Sequence, residues 1–231
     1  MNKIQLVVFD IAGTTVRDNG NVADSFISAF NDYGLTMPRE DVKKVMGFRK
    51  MDAIRILLDK FYPSTLEGSP QVVREVHERF IANMISFYDQ DEDLSAFPYA
   101  EELFIRLKEK GIKIALNTGF TRAVADTLLR RLHWDNGHQM IDRVICSDEV
   151  AHGRPYPDMI NALIGDLGIS SPSFVLKVGD TSVDIDEGRN AGCGIVVGVT
   201  SGAHTRAQLE GSHPDHIIDD LRELEPIIMN S

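Results

Sequence analysis

An α/β fold with a mainly parallel sheet is predicted by three observations. Short apolar, β-branched runs recur along the chain, helical patterns of about ten residues separate many of them, and polar motifs rich in Asp, Thr and Gly follow several of the runs. The first run, Ile4 to Phe9, reads as a buried strand of that sheet and ends in Asp10-Ile11-Ala12-Gly13-Thr14-Thr15. After it the texture changes. Val22, Ala23, Phe26, Ile27 and Phe30 fall at helical spacing; Pro38 opens a short helix to Met46, which Gly47 interrupts. A helix resumes from Met51 to Phe61 with Ile54, Leu57 and Leu58 on one face, and Val73, Val76, Phe80, Ile81, Met84 and Ile85 mark another. Such an all-helical insertion predicts a cap domain over residues 17–97, with 1–16 and 98–231 forming the α/β core. Its expected hinges are Asp18-Asn19-Gly20 and Asp91-Glu92-Asp93.

From about Tyr99 onward strands and helices alternate. Strands are predicted at Ile112 to Asn117, Val144 to Cys146, Phe174 to Val178 and Ile195 to Val199. Between them, helices are predicted at Arg122 to Leu132, Tyr156 to Leu167 and Asp184 to Ala191. With 231 residues, 43% hydrophobic and 26% charged, the chain can build one ordinary core plus a smaller unit. A net charge of −11 argues against a nucleic-acid or anionic-membrane surface, so any phosphate site must be a local arrangement. Met1-Asn2-Lys3 runs straight into the first strand, which leaves no room for a signal peptide, and no apolar stretch approaches the roughly 20 residues of a membrane span. Cys146 and Cys193 lack metal-ligand spacing and read as buried, reduced residues. A cytoplasmic location is expected.

Four strand-end motifs carry the chemistry. Asp10 with Gly13-Thr14-Thr15 places a carboxylate where open α/β sheets bind ligands, although a helix-capping loop has the same composition. Asn117-Thr118-Gly119-Phe120-Thr121 offers a hydroxyl and backbone N–H groups near a helix start, suited to a phosphate-like anion or to an ordinary turn. In Gly153-Arg154-Pro155-Tyr156-Pro157 a cation is pinned in a stiff turn. Finally, Asp180-Thr181-Ser182-Val183-Asp184 supplies two carboxylates four residues apart, either a capping pair or part of an Mg²⁺ site with Asp10.

In this order, with a helical insertion after the first motif, these residues resemble the haloacid dehalogenase superfamily over essentially the whole chain. The resemblance implies a Rossmann-like core in which Asp10 is the nucleophile that accepts a phosphoryl group. It further implies that Thr118 and the Gly119 amide hold the phosphate and that Mg²⁺ is bound by Asp10, Asp180 and the backbone carbonyl of Ala12, with Asp184 supporting that site. Two departures from the common pattern point to one branch: Ala12 where most members have Asp, and Arg154 where most have Lys. Asp-x-Ala-Gly-Thr-Thr, Gly-Arg-Pro and a cap lysine in Met46-Gly47-Phe48-Arg49-Lys50 resemble phosphonoacetaldehyde hydrolases, in which that lysine forms an imine with the substrate aldehyde. Homodimers formed through the cap are implied as well. Ala53 and Phe120 depart from the branch, which carries a histidine and a tyrosine there.

Physical logic supports the same reading. Cleaving a carbon–phosphorus bond leaves electrons on carbon, and a protonated imine at Lys50 accepts them. The leaving group then needs no proton from position 12, whereas a phosphate monoester would need an acid there worth about 10²–10⁴-fold. Arg154 would balance substrate charge without competing as an amine, and Arg49 would help lower the Lys50 pKa unless its side chain points elsewhere. The expected function is Mg²⁺-dependent hydrolysis of a 2-oxoalkylphosphonate. The alternatives are a phosphomonoesterase for a small phosphorylated metabolite and a catalytically silent, Mg²⁺-binding regulatory protein.

Overall fold

The computed structural model describes residues 4–66, 70–135 and 140–230; Met1-Asn2-Lys3, on which the signal-peptide expectation rests, lie outside the described residues. Six parallel strands form one sheet in the order β3-β2-β1-β4-β5-β6. Here β1 is Leu6–Phe9, β2 Lys113–Thr118, β3 Arg143–Cys146, β4 Val175–Gly179, β5 Ile195–Val199 and β6 His216–Ile218. The central strand is covered on both faces, which explains its unbroken apolar sequence: Val7 and Phe9 join one hydrophobic cluster, Leu6 and Val8 the other. One face is covered by α6 (Ala100–Glu109), α7 (Arg122–Arg131) and α11 (Leu224–Met229). The opposite face is covered by α8 (Asp158–Asp166), α9 (Ser182–Asn190) and α10 (Arg206–Glu210).

Between β1 and α6 the described chain forms α1 (Asn21–Asp32), α2 (Arg39–Lys44), α3 (Lys50–Phe61), α4 (Pro63–Leu66) and α5 (Pro70–Gln90); the helical periodicity predicts all but the one-turn α4. Its apolar interior is continuous with that of the core. Phe26 packs edge-on against Phe80 at 4.8 Å, and Phe80 lies 6.5 Å from Phe120 of the core. The outgoing and returning chains run side by side where they leave the core: Arg17 N donates to Ser95 O at 3.1 Å, and Phe97 N to Thr15 O at 2.8 Å. The predicted hinge segments lie just beyond this paired neck.

Several elements differ from the sequence expectation. Helix α8 starts at Asp158 rather than Tyr156, because the chain reaches it through Pro155 and Pro157 and Pro157 takes the cap position. Helices α6, α10 and α11 and strand β6 were not anticipated. β6 is a three-residue edge strand whose His216 is exposed, too short for an alternating pattern to register. Cys146 and Cys193 are buried and unpaired, and burial pushes both thiols up to about 12. Among the described residues no helix is long and apolar enough to cross a membrane.

Candidate active site

Strand order places the site. Because β1 is flanked by β2 on one side and β4 on the other, the connections leave its C-terminal end in opposite directions and open a crevice there. Asp10 at the end of β1, Thr118 at the end of β2 and Asp180 just after β4 all face one cavity. Ala12, Asp18, Lys50, Gly119, Phe120 and Arg154 also line it. Every residue that the sequence motifs nominated for catalysis or ligand binding is therefore brought to one place. Asp184 lies immediately behind it.

Arg154 organises the floor of the crevice. Its side chain is fully buried, and each of its nitrogens is engaged. Nη1 donates to Asp10 Oδ1 at 2.7 Å, Nε to Glu187 Oε2 at 3.0 Å, and Nη2 to the backbone and side-chain oxygens of Asn117 at 2.7 and 2.6 Å. Nη1 also lies 2.9 Å from Asp184 Oδ1. Burial opposes its charge, but Asp184, Asp10 and Glu187 outweigh that penalty and hold it protonated. The expected substrate cation is thus a fork that aims the Asp10 carboxylate, with its donors committed to protein groups.

Two members of this network escaped the motif reading. Lys177, fully buried in β4, donates to Asn117 Oδ1 at 2.7 Å and pairs with Asp184 at 2.9 Å. Glu187 accepts from Asn117 Nδ2 with both oxygens, at 2.9 and 2.8 Å. The signal was present in the chain: a lysine inside the apolar run Val175-Leu176-Lys177-Val178 needs a buried counter-charge. Glu187, one helical turn after Asp184, shares its helix face.

The nucleophile candidate and its neighbour are both charge-stressed. Burial, then Asp184, raises the Asp10 carboxyl above its ordinary range, against the pull of Arg154 and Lys177. Asp180 is raised further, by burial and then by Asp10 and Asp184, although Ala203 N and Thr14 Oγ1 donate to it at 2.7 and 3.2 Å. Asp184 is instead held low: Arg154 and Lys177 overcome its burial, and Thr181 donates to it. Four buried carboxylates, Asp10, Asp180, Asp184 and Glu187, outnumber the three buried cations, Arg154, Lys177 and Lys50, so the site carries net negative charge that a bound cation would offset. Among the described residues no three His, Cys, Asp or Glu side chains form a metal cluster, so a cation here would rely on two carboxylates, backbone oxygen and water. That is a donor set suited to Mg²⁺. Gly13 permits the close fit: at φ +91° it lies where a Cβ would come within 2.6 Å of Asp180 Oδ2.

Lys50 enters from the helical insertion as the first residue of α3. Only 4% exposed, its Nζ lies 5.3 Å from the centre of the Phe120 ring, and burial lowers its pKa to about 8, assisted by Arg154 and opposed by Asp10, Asp18 and Asp180. Arg49 does not supply the expected assistance. It reaches the core instead, donating from Nη1 to Ala151 O at 3.0 Å, while its Cβ packs over Gly153. The segment before it sits on Gly119, where a Cβ would come within 2.5 Å of Phe48 O. Ala53 is buried in the apolar interior, and Phe120 forms an apolar wall of the cavity. Thr118 Oγ1 accepts from Phe120 N at 3.1 Å, which closes the turn after β2.

Comparison with known proteins agrees with this geometry. Residues 4–192 match the haloacid dehalogenase-like hydrolase family. The chain is 31% identical over 242 residues to phosphonoacetaldehyde hydrolase from Bacillus cereus, covering 99% of this chain and 88% of that one. A phosphonoacetaldehyde hydrolase from Bacillus mycoides (strain KBAB4) is likewise 31% identical, over 246 residues with the same coverage. The crystal structure of a phosphonoacetaldehyde hydrolase-like protein from Oleispira antarctica shares the fold, with a TM-score of 0.85 at 23% identity over 98% of this chain and 92% of that one. The strand-end carboxylates, the buried Arg154 and the matches over nearly the full length together make this chain a member of the haloacid dehalogenase-like hydrolases, an enzyme related to the phosphonoacetaldehyde hydrolases.

Proposed function

We propose that the enzyme cleaves the carbon–phosphorus bond of a 2-oxoalkylphosphonate, phosphonoacetaldehyde or a close relative, through an imine at Lys50 and a phosphoaspartate at Asp10. The observation that carries this reading is the buried Lys50 amine, with its pKa lowered to about 8, in the same cavity as Asp10. At pH 7 about a tenth of such an amine is neutral and able to attack a carbonyl, against fewer than about one in a thousand for an ordinary lysine. Mg²⁺ would be held by Asp10, Asp180 and the Ala12 carbonyl, where it would neutralise the excess carboxylate charge and that of the phosphonate.

Lys50 condenses with the substrate carbonyl, releasing water and leaving a protonated imine. Asp10, aimed by Arg154, attacks phosphorus; the C–P electron pair moves toward the imine carbon and neutralises its nitrogen, giving an enamine. Protonation at carbon and hydrolysis free the carbonyl product and Lys50, and water releases phosphate from Asp10. Thr118 and Gly119 hold the phosphonate oxygens. No acid is required at position 12, which suits the methyl group of Ala12 better than ester hydrolysis does. Assembly through the helical insertion into a homodimer is part of this reading.

The direct test is borohydride added with phosphonoacetaldehyde. The expected result is a mass adduct on Lys50, phosphate release by wild type, and neither in Lys50→Ala. Turnover without an adduct would end the imine reading, and release of phosphate from sugar phosphates by Lys50→Ala at wild-type rate would favour the phosphomonoesterase.

A further inference from the structure

Imine formation is proton-transfer chemistry, and Lys50 cannot perform it alone. Its ammonium must lose a proton before attack, the resulting oxyanion must gain one, and the carbinolamine must exchange another before water leaves. Among the carboxylates lining the cavity, Asp10 is occupied by Arg154, and Asp180 by Thr14 and Ala203 on the metal side. Asp18 is differently placed. It lines the cavity from the start of the helical insertion, and the turn that follows holds its carboxyl group with backbone amides: Oδ1 accepts from Gly20 N at 3.1 Å and Val22 N at 3.2 Å, and Asn21 N adds to them. The turn therefore fixes the carboxyl group at the edge of the cavity that Lys50 also lines. Burial raises its pKa despite those amides and the Lys50 charge, so the carboxylate takes a proton from an ammonium more readily than an ordinary aspartate does.

We propose that Asp18 is the proton-transfer residue for imine formation, moving protons between Lys50 Nζ and the substrate carbonyl oxygen. This rests on the imine reading above. The Asp18 carboxylate takes a proton from the Lys50 ammonium, and the free amine attacks the carbonyl carbon. Asp18 returns that proton to the oxyanion, then takes a second proton from the new N–C ammonium and delivers it to the hydroxyl group. Water departs, one proton stays on the imine nitrogen, and Asp18 ends as the carboxylate it began as.

A bland alternative is that Asp18 only caps α1. Asp18→Asn separates the two roles, because its Oδ1 keeps both turn hydrogen bonds while the exchangeable proton is lost. Electrostatics alone also predicts the opposite sign: removing a negative charge near Lys50 frees more neutral amine and speeds its attack. The experiment mixes enzyme with phosphonoacetaldehyde, quenches with borohydride at timed intervals, and measures the summed phosphonoethyl and ethyl adducts on Lys50. Proton transfer through Asp18 predicts adduct formation about 10²-fold slower in Asp18→Asn, with the wild-type yield at long times. Asp18→Ser, another capping side chain, is expected to behave alike and decides the matter if the first variant does not fold. Adduct formation at or above the wild-type rate in either folded variant would overturn the assignment to Asp18 while leaving the imine intact. Absence of the adduct in wild type would overturn the imine reading and this one with it.

Discussion

Glu187→Gln changes one atom and has a calculable consequence. In the wild type both Glu187 oxygens accept from Asn117 Nδ2, and Oε2 also accepts from Arg154 Nε. A glutamine can present its oxygen to Arg154 but must then set its NH₂ against the Asn117 NH₂, 2.9 Å from the present oxygen. Flipping Asn117 gives no relief, because its Oδ1 already accepts from Lys177 at 2.7 Å and Arg154 at 2.6 Å. One buried donor is left facing another, and one of the counter-charges to two fully buried cations is gone. Unpaired buried donors cost about 1–3 kcal/mol, and a broken buried ion pair about 3–5. The retained Arg154 bond places the expected loss near 3 kcal/mol. For a chain of this length that lowers Tm by about 6–12 °C, and Arg154, no longer braced, holds Asp10 less well, so kcat falls. Calorimetric melting alongside phosphate release checks both. A melting point within about 2 °C of wild type would show that Glu187 does not brace Arg154.

Lys50, with its pKa lowered from 10.5 to about 8, is more protonated in the unfolded chain, so it weakens the fold most below pH 8, and stability recovers as pH rises from 8 to 10.5. Comparing urea unfolding of wild type and Lys50→Met across that range should reveal a difference on the order of 3 kcal/mol that shrinks with rising pH; a pH-independent difference would refute the burial of a titrating amine. The rate of Lys50 trapping should rise about tenfold from pH 6 to 7 and level off above 8. Gly119→Ala forces a Cβ to within 2.5 Å of Phe48 O, so the insertion must lift from the core; phosphate release at saturating substrate should fall at least about tenfold with little change in melting. Mg²⁺ at about a hundred times its Kd should raise Tm by about 5–10 °C in wild type by balancing the carboxylate excess, and Asp180→Asn should lose most of that rise. An equal rise in the variant would place the ion elsewhere.

Some of this molecule was legible residue by residue. The alternation from Tyr99 onward, and the change to helical spacing after Thr15, exposed the sheet and the inserted helices, because buried strands and amphipathic helices leave different periods. Asp10, Thr118, Arg154 and Asp180 announced themselves because each follows a strand or sits in a stiff turn, where α/β sheets gather ligands. Short edge elements such as β6 left no period to detect. Arg49 and Arg154 show another limit: sequence proximity suggested that Arg49 acts on Lys50, yet its side chain reaches Ala151, and a cation read as substrate-facing spends its donors on the protein.

What the chain by itself determined was local: which segments coil or extend, which strand ends carry carboxylates, and that position 12 lacks an acid. Only the tertiary structure decided how polar and charged groups far apart in the sequence share one buried volume. Asp10 lies 144 positions from Arg154 and Asn117 lies 70 from Glu187, yet both pairs are hydrogen-bonded. Whether an ionisable side chain is a nucleophile, a brace or a proton carrier depends on the water removed around it and the charges set beside it. For Lys50, Asp18 and Glu187 those are properties of the packed assembly, which no short stretch of sequence contains.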